Sequence, residues 1–282
     1  MTRRLFCFGL GFTARTFAHD FPEWKVMGTG RSPATDNRRE TFSVFPFRRD
    51  SPVENFADVA KDVTHILLSV PPDEVGDPVF DVMAAQIRSL PSLQWIGYLS
   101  TTGVYGNLEG EWVDENSPYN PSGHRGQRRV DAEKSWIRLF YEFGMPVHIF
   151  RLPGIYGPGR NQLVSLKNGK ARRISKPGQI FSRIHVSDLA AILSASMAKP
   201  CPGSIYNVAD DAPAPPEEVV AYAAELLGVA PPPLQDFETA DLSPMARSFY
   251  ADSKRVSNAK IKAELGIRLK YPTYREGLTA LL

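Results

Sequence analysis

The sequence predicts an α/β protein built on a doubly wound parallel sheet, with a smaller substrate lobe formed by its C-terminal part. Three observations carry this. Short apolar runs that suit strands alternate with segments of helical apolar spacing for about 150 residues. The run "RLFCF" at 4–8 stops at Gly9, and a helix-patterned segment follows at once. "HILLSVPP" at 65–72 is a continuous apolar run closed by two prolines, as suits a strand buried on both faces.

The elements follow in order. "RLFCF" is the first strand and "FTARTFAHDF" the first helix. "KVMGTGRS" is a second strand ending near Gly28 to Arg31, and "TFSVFPF" a candidate third. After the buried strand at 65–72 come a helix, "VFDVMAAQIRSL", and a strand running into a polar turn, "WIGYLSTTGVYG". "DAEKSWIRLFYEFG" is a helix stopped by Gly144, a good residue just past a helix end. "PVHIFRLPGIYGPG" is strand and loop. Beyond Gly159 the alternation loosens. "RIHVSDLAAILSASMA" is a loop entering a long helix, "SIYNVAD" a strand, and "PPEEVVAYAAELLG" a helix with Pro and Glu at its start, as the helix dipole favours. The C-terminal segment reads as helix, extended stretch, helix. The expected division is a dinucleotide-binding domain over 1–155 and a mixed segment over 156–282 that completes the sheet and forms the smaller lobe.

Composition narrows the function classes. The 282 residues are 43% hydrophobic and 23% charged, ordinary for a soluble globular chain with a real core. A net charge of +2 without a long basic run gives no electrostatic footprint for nucleic acid. Cys7 and Cys201 form no CxxC, and the five histidines form no HxxxH or HxH pair, so neither a disulfide framework nor a metal site is expected. Charged residues and glycines interrupt the first apolar stretch too early for a signal peptide. No run reaches membrane-spanning length, so a cytoplasmic protein without membrane contact is expected.

Gly9, Gly11 and Ala14 give GxGxxA between the first strand and first helix, with Phe12 opening that helix. The first glycine permits a tight turn, the second lets a pyrophosphate approach the backbone, and the small third residue lets helix and strand pack closely. Free N–H groups at the helix start suit phosphate. The pattern is that of a Rossmann dinucleotide site. The bland alternative is a turn without a ligand. At the end of the second strand, where a carboxylate would hold an adenosine ribose, stand Arg31 and Ser32. An arginine there pairs with a 2′-phosphate, which favours NADP over NAD. The alternative is a solvated surface arginine. Arg38 and Arg39 nearby read equally as solvated charge.

With "STTGVYG", "RLPGIYGPG" and "RIHVSDLA" in the same chain, the sequence resembles the extended short-chain dehydrogenase/reductase superfamily, in its NAD-dependent epimerase/dehydratase group. The resemblance covers nearly the whole chain, including "KRVSNAKIKAELGIRLKYPTYREGL". The glycine motif is a shortened form of the family's TGxxGxxG. The resemblance implies that Ser69, Val70 and Pro71 lie under the cofactor and that Ser100 precedes the reactive hydroxyl. It implies that Thr101 polarises a substrate carbonyl, and that Leu152, Pro153 and Gly154 lie beside the nicotinamide. Arg183, His185 and Asp188 belong to a segment bordering the substrate cleft. Arg183 takes a slot often aromatic in sugar-nucleotide enzymes, so that contact does not carry over. Tyr105 is implied to be structural. Plainer roles stand beside these: Thr101 as a strand end, His185 as a packed or capping histidine, Asp188 as a helix N-terminal residue.

The family's chemistry uses Tyr-x-x-x-Lys on one helix face. The lysine lowers the tyrosine pKa and holds the ribose; the tyrosine moves a proton to or from the substrate oxygen. Aligned by Glu133, which the family keeps eight residues after the tyrosine, this chain has Arg125 and Arg129 in those slots, within a basic loop "PSGHRGQRR" leading to a helix. Arg129 can retain the cation's role. Arg125 cannot shuttle protons, because a guanidinium stays protonated. His124 is a candidate substitute acid or base, and otherwise an exposed loop histidine. Arg125, Arg128 and Arg129 can also hold an anionic substrate.

Two functions are therefore expected. One is an NADP-dependent (otherwise NAD-dependent) oxidoreductase or epimerase-like enzyme acting on a small carbonyl or hydroxyl substrate, with Thr101, Arg129 and His124 in its catalytic set and Arg125, Arg183 and His185 on the substrate. The other is a non-catalytic NADP-binding sensor or scaffold. The family often pairs through long helices, so the resemblance also implies a homodimer, with "DAEKSWIRLFYEF" as the candidate interface.

Overall fold

The computed structural model describes residues 3–31 and 42–282, so Ser32, Arg38 and Arg39 lie outside the described residues. β1 (Arg4–Phe8) leads through the glycine turn to α1 (Phe12–Asp20), followed by β2 (Lys25–Gly30) and β3 (Ser43–Pro46). A single turn, α2 (Phe56–Val59), precedes β4 (His65–Leu68). α3 (Pro78–Arg88) begins on Asp77, whose carboxylate accepts from the Val79 and Phe80 N–H groups. β5 (Trp95–Thr101) runs into a 3-10 turn, Thr102–Tyr105. Then come β6 (Trp112–Val113), α4 (His124–Phe143), β7 (Val147–Leu152), β8 (Gly154–Tyr156) and α5 (Gln162–Lys167). β9 (Arg173–Ser175), β10 (Arg183–His185), α6 (Val186–Ala198), β11 (Ile205–Asn207) and α7 (Pro216–Leu226) follow. The chain closes with β12 (Leu234–Asp236), α8 (Pro244–Phe249), β13 (Arg255–Val256), α9 (Ala259–Leu265) and α10 (Tyr274–Thr279).

Seven parallel strands form the central sheet in the order β11-β7-β5-β4-β1-β2-β3. This is the doubly wound arrangement. The winding reverses between β1 and β4, which pair in parallel from Leu5↔His65 to Phe8↔Leu68. A reversal point opens a crevice at the carboxyl ends of its strands, where such sheets bind ligands. Gly9 follows β1 and Ser69 follows β4 at that end. Burial on both faces explains the uninterrupted apolar runs: Leu5 to Phe8 and Ile66 to Leu68 are all buried.

The chain divides into two compact units. Unit 1 comprises 1–100, 128–150 and 190–206; unit 2 comprises 101–127, 151–189 and 207–282. The expected change near residue 155 has a counterpart at 150/151, but the chain also changes unit at 100/101, 127/128, 189/190 and 206/207. Unit 1 is cored by Phe6, Phe8, Phe56, Ile66, Met83, Tyr98 and Trp136, with β-branched and aliphatic neighbours. In unit 2, Tyr156, Leu163, Val219, Ala223, Tyr274 and Leu278 form one apolar cluster. Three two-stranded parallel pairs, β8–β10, β9–β12 and β6–β13, complete unit 2.

One expectation needs correction. The basic stretch is not a loop before a helix; α4 starts at His124, so Arg125, Arg128 and Arg129 lie in its first two turns. Its first turn carries no acidic residue. Arginines at a helix start oppose the macrodipole, which is why the sequence pattern there does not read as helical.

Candidate functional site

The glycine turn is built by β1, β2 and β4 together. Gly9 has φ +90°, in the region that favours glycine. A Cβ there would lie 3.4 Å from the Ser69 carbonyl carbon and from Val70. Gly9 thus lets the end of β4 approach. Its N–H donates to the Thr29 hydroxyl at 2.9 Å, and the Leu10 N–H donates to the Thr29 carbonyl at 2.8 Å. Thr29 is buried and holds the turn from both sides. Gly28, its neighbour, admits no side chain, since a Cβ would strike the Cys7 carbonyl oxygen. The sequence reading missed Thr29. The signal available was a threonine between two glycines at the end of a strand.

Gly11 differs from Gly9. A Cβ on it would meet nothing within 4 Å, so its face is open. It caps α1 without any side-chain bond, and the first turn has no acidic residue. Ala14 is fully buried. These features suit a diphosphate: an approachable backbone and a helix start with no competing acid. Phe12 and Ala14 lie in the first turn of α1, Ser69 and Val70 are half-buried after β4, and Pro71 is exposed. Arg31 is exposed immediately after β2.

Around the slot of the lysine, unit 1 forms a tight network. Arg129 Nη1 donates to the Tyr98 hydroxyl and to the Leu99 carbonyl, both at 2.9 Å. The guanidinium carbon sits 5.6 Å from the Tyr98 ring centroid. Tyr98 is fully buried, and burial pushes its phenol well above the usual range, with the Arg129 charge opposing. The Tyr98 ring stacks on Trp136, whose indole N–H donates to Asp77 at 3.0 Å. Burial raises the Asp77 carboxyl; the Trp136 and backbone hydrogen bonds pull it back down. Ser100 donates to the fully buried Glu133. Among the described residues Arg128 pairs with an exposed Glu74, at 3.8 Å.

Unit 2 carries the remaining candidates. The Thr101 hydroxyl oxygen accepts from the Gly103 N–H at 3.1 Å and so caps the 3-10 turn. His124 and Arg125 are exposed, and the Arg125 guanidinium lies 5.6 Å from the Phe249 ring. Gly126 lets α4 meet that turn, since a Cβ would come within 2.9 Å of the Gly103 carbonyl. Tyr105 is buried in a network: its hydroxyl donates to Asn207 at 2.7 Å and accepts from Arg151 at 2.8 Å. Burial pushes the Tyr105 phenol up to about 12, against the nearby Arg151 charge. That phenol is no proton shuttle at neutral pH. Leu152 is buried at the end of β7, Pro153 half-buried, and Gly154 exposed at the start of β8.

His185 is buried between Tyr156 and Tyr271 rings at 5.2 and 4.1 Å. Its Nδ1 accepts from the Ser187 N–H at 3.2 Å, at the start of α6. This is the packed, capping arrangement. Asp188 accepts from the Lys270 and Tyr271 N–H groups at 2.7 and 3.0 Å, so it ties the C-terminal segment to α6. Arg183 is half-buried on β10 and donates to the Phe181 and Ala214 carbonyls. Asp210, unmarked in the sequence reading, is buried with one carboxylate oxygen lacking a hydrogen-bond partner among the described residues. Among the described residues no cluster of His, Cys, Asp or Glu could hold a metal ion, and no helix is long and apolar enough to cross a membrane.

A buried parallel sheet with an open glycine turn at its reversal point is the fold shared with solved NAD-dependent epimerases and dehydratases. A dTDP-glucose 4,6-dehydratase from Bacillus anthracis str. Ames, solved in complex with NAD, matches with TM-score 0.80 at 18% identity, over 100% of this chain and 95% of that one. A functionally unknown conserved protein from Silicibacter pomeroyi DSS is 49% identical, with TM-score 0.90, over 99% of this chain and 98% of that one. The chain belongs to the same family as that Silicibacter protein. Protein YeeZ of Escherichia coli (strain K12) is 30% identical over 177 residues, a stretch spanning 62% of this chain and 58% of YeeZ. No family model matches the chain.

Proposed function

We propose that the chain binds NADP at the Gly9–Gly11 turn and acts as an oxidoreductase or epimerase-like enzyme on a small carbonyl or hydroxyl substrate. The observation that carries the reading is the turn itself: Gly9 held by Thr29, Gly11 facing open space, and α1 starting without acid or side-chain cap. Gly9, Gly11, Phe12 and Ala14 would hold the diphosphate. Ser69, Val70 and Pro71, with Ser100, would line the cofactor. Arg31 would pair with a 2′-phosphate. Leu152, Pro153 and Gly154 are assigned to the nicotinamide end by family resemblance. When bound, the nicotinamide would supply or accept a hydride. NAD bound to the dehydratase supports a nicotinamide dinucleotide as ligand.

In this reading Thr101 donates its proton to the substrate oxygen. Arg129 keeps a fixed positive charge in the lysine slot. His124 is the candidate acid or base, and Arg125 and Arg183 face substrate, while His185, buried between Tyr156 and Tyr271, packs the lobe behind them. Fluorescence titration with NADPH and NADH, followed by a carbonyl panel with His124→Ala and Thr101→Ala as controls, tests it. Turnover that both variants abolish supports the enzyme; no exchange with any carbonyl defeats it.

A second reading is a non-catalytic NADP-binding sensor or scaffold. It is favoured by Arg129 being spent on Tyr98 and Leu99, and by Arg125 lying on Phe249 rather than offering a phenol. NADPH binding without any turnover is its signature.

A further inference from the structure

Unit 2 contains a cavity of about 250 Å³ whose wall includes Arg183, Arg160, Asn161, Ser165 and Tyr274. That is near the lower end of the roughly 300–1,000 Å³ usual for small-molecule sites. Arg183 is the group in it that calls for an explanation. Its Nη1 donates to the Phe181 carbonyl at 2.8 Å and the Ala214 carbonyl at 3.3 Å. Phe181 and Ala214 are themselves joined by an antiparallel bridge, with N–H···O bonds of 3.1 Å in both directions. The guanidinium is therefore seated on a rigid backbone clasp, with the Tyr274 ring 5.9 Å away. The clasp uses one nitrogen. The rest of the fork has no hydrogen-bond acceptor, and no carboxylate lies within salt-bridge distance, among the described residues.

Arg183 is half-buried, so its free nitrogens still reach the cavity, and a planar fork partly shielded from water without an anion matches carboxylate or phosphate oxygens. The acid that acts most on Arg183 is Asp210. Burial pushes the Asp210 carboxyl up to about 7, so near neutral pH it neutralises the arginine only in part. Burial also disfavours the charged form of Arg183 itself.

We infer that this cavity receives the compact anionic group of a small substrate, a carboxylate or a phosphate, and that Arg183 selects it. The inference rests on the reading that unit 2 carries the substrate, and it narrows that substrate. A single anionic group bearing a few carbons suits a cavity of about 250 Å³; a nucleoside diphosphate carrying a sugar does not.

The test is calorimetric titration of the full chain, without dinucleotide, against inorganic phosphate, glycolate and the neutral glycolamide. Saturable binding of glycolate alone assigns a carboxylate, and of phosphate alone a phosphate group; binding of both assigns the shared anion chemistry. Glycolamide should not bind. Arg183→Gln should weaken the bound anion about tenfold or more, the loss of a charge-assisted fork. Should Arg183→Gln fail to fold, Ser165→Phe, which fills the cavity and leaves the clasp intact, should abolish binding instead. No saturable binding of either anion, glycolamide binding as well as glycolate, or wild-type affinity in a folded variant overturns the inference. NADPH is titrated separately: lost dinucleotide binding with intact anion binding defeats the cofactor reading alone.

Discussion

Arg129 is tied to β5 through one nitrogen, which donates to the Tyr98 hydroxyl and the Leu99 carbonyl at 2.9 Å each. Arg129 therefore stabilises unit 1 whatever it does for a cofactor. Arg129→Leu leaves a buried phenol and a carbonyl without that donor, at a cost of about 1–3 kcal/mol. Arg129→Lys keeps a charge but not the fork, and should lose less. Urea unfolding at constant m-value measures both.

The glycine turn gives a paired prediction. Gly9→Ala forces a Cβ into a φ of +90° and against Ser69 and Val70, and should cost about 1–3 kcal/mol. Gly11→Val meets no neighbour within 4 Å. It should leave the unfolding midpoint nearly unchanged while NADPH binding disappears, because the side chain fills the space over the turn. Thermal unfolding with and without NADPH separates the two. A Gly11→Val protein that still binds NADPH would remove the turn from the cofactor site.

In the proposed reading Arg31 would discriminate between the cofactors. Arg31→Ala should weaken NADPH about tenfold, the value of one charge-assisted contact, and leave NADH unchanged. Equal wild-type affinity for NADPH and NADH in a fluorescence titration would defeat the assignment.

Acid should unfold the protein through unit 1. His65 and His148 are buried, and burial is the largest cause lowering each to about 4 from 6.5. His148 Nε2 accepts from the Cys201 N–H at 3.0 Å, a bond that protonation destroys. A folded-state value below the unfolded one means stability that is present above about 6.5 and lost as pH falls through about 4. The full loss, about 3 kcal/mol per histidine, is reached only below pH about 4, where the folded state is protonated too. Asp210 has the opposite sign: raised to about 7, it favours the fold below 3.8 and loses that contribution as pH rises through about 7. The histidine part is isolated by His148→Gln, whose unfolding free energy should fall less than wild type between pH 7 and pH 4.5.

Much of the sheet was legible because burial on both faces writes itself as unbroken apolar runs; "RLFCF" and "HILL" are β1 and β4. The glycine turn was legible because Gly9 is required by its backbone, at φ +90°, and Ala14 by its burial. The start of α4 was not, since three arginines in its first turns oppose the helix dipole and hide the helix. Thr29 and Asp210 escaped because their roles arise only when distant strands meet: Thr29 bonds Gly9 twenty residues away. The pairing of Arg183 with the Phe181–Ala214 bridge is likewise a long-range fact that spacing does not encode.

Thr101 separates structure from chemistry. Its hydroxyl oxygen accepts from the Gly103 N–H. Thr101→Val removes the hydroxyl and should cost about 0.5–2 kcal/mol as a lost cap. Thr101→Ser restores the cap and the donor together. If Thr101 also polarises a substrate oxygen, Thr101→Val should lower kcat by about 10²–10³ beyond any stability effect, the usual loss for one such donor, and Thr101→Ser should recover most of it. His124→Ala leaves the cap untouched, so a fall in kcat with unchanged unfolding assigns His124 to proton transfer. Full activity in both Thr101→Val and His124→Ala would place the chemistry on neither residue. Arg125 then has to be tested as the anchor of the substrate rather than as a successor to the missing tyrosine.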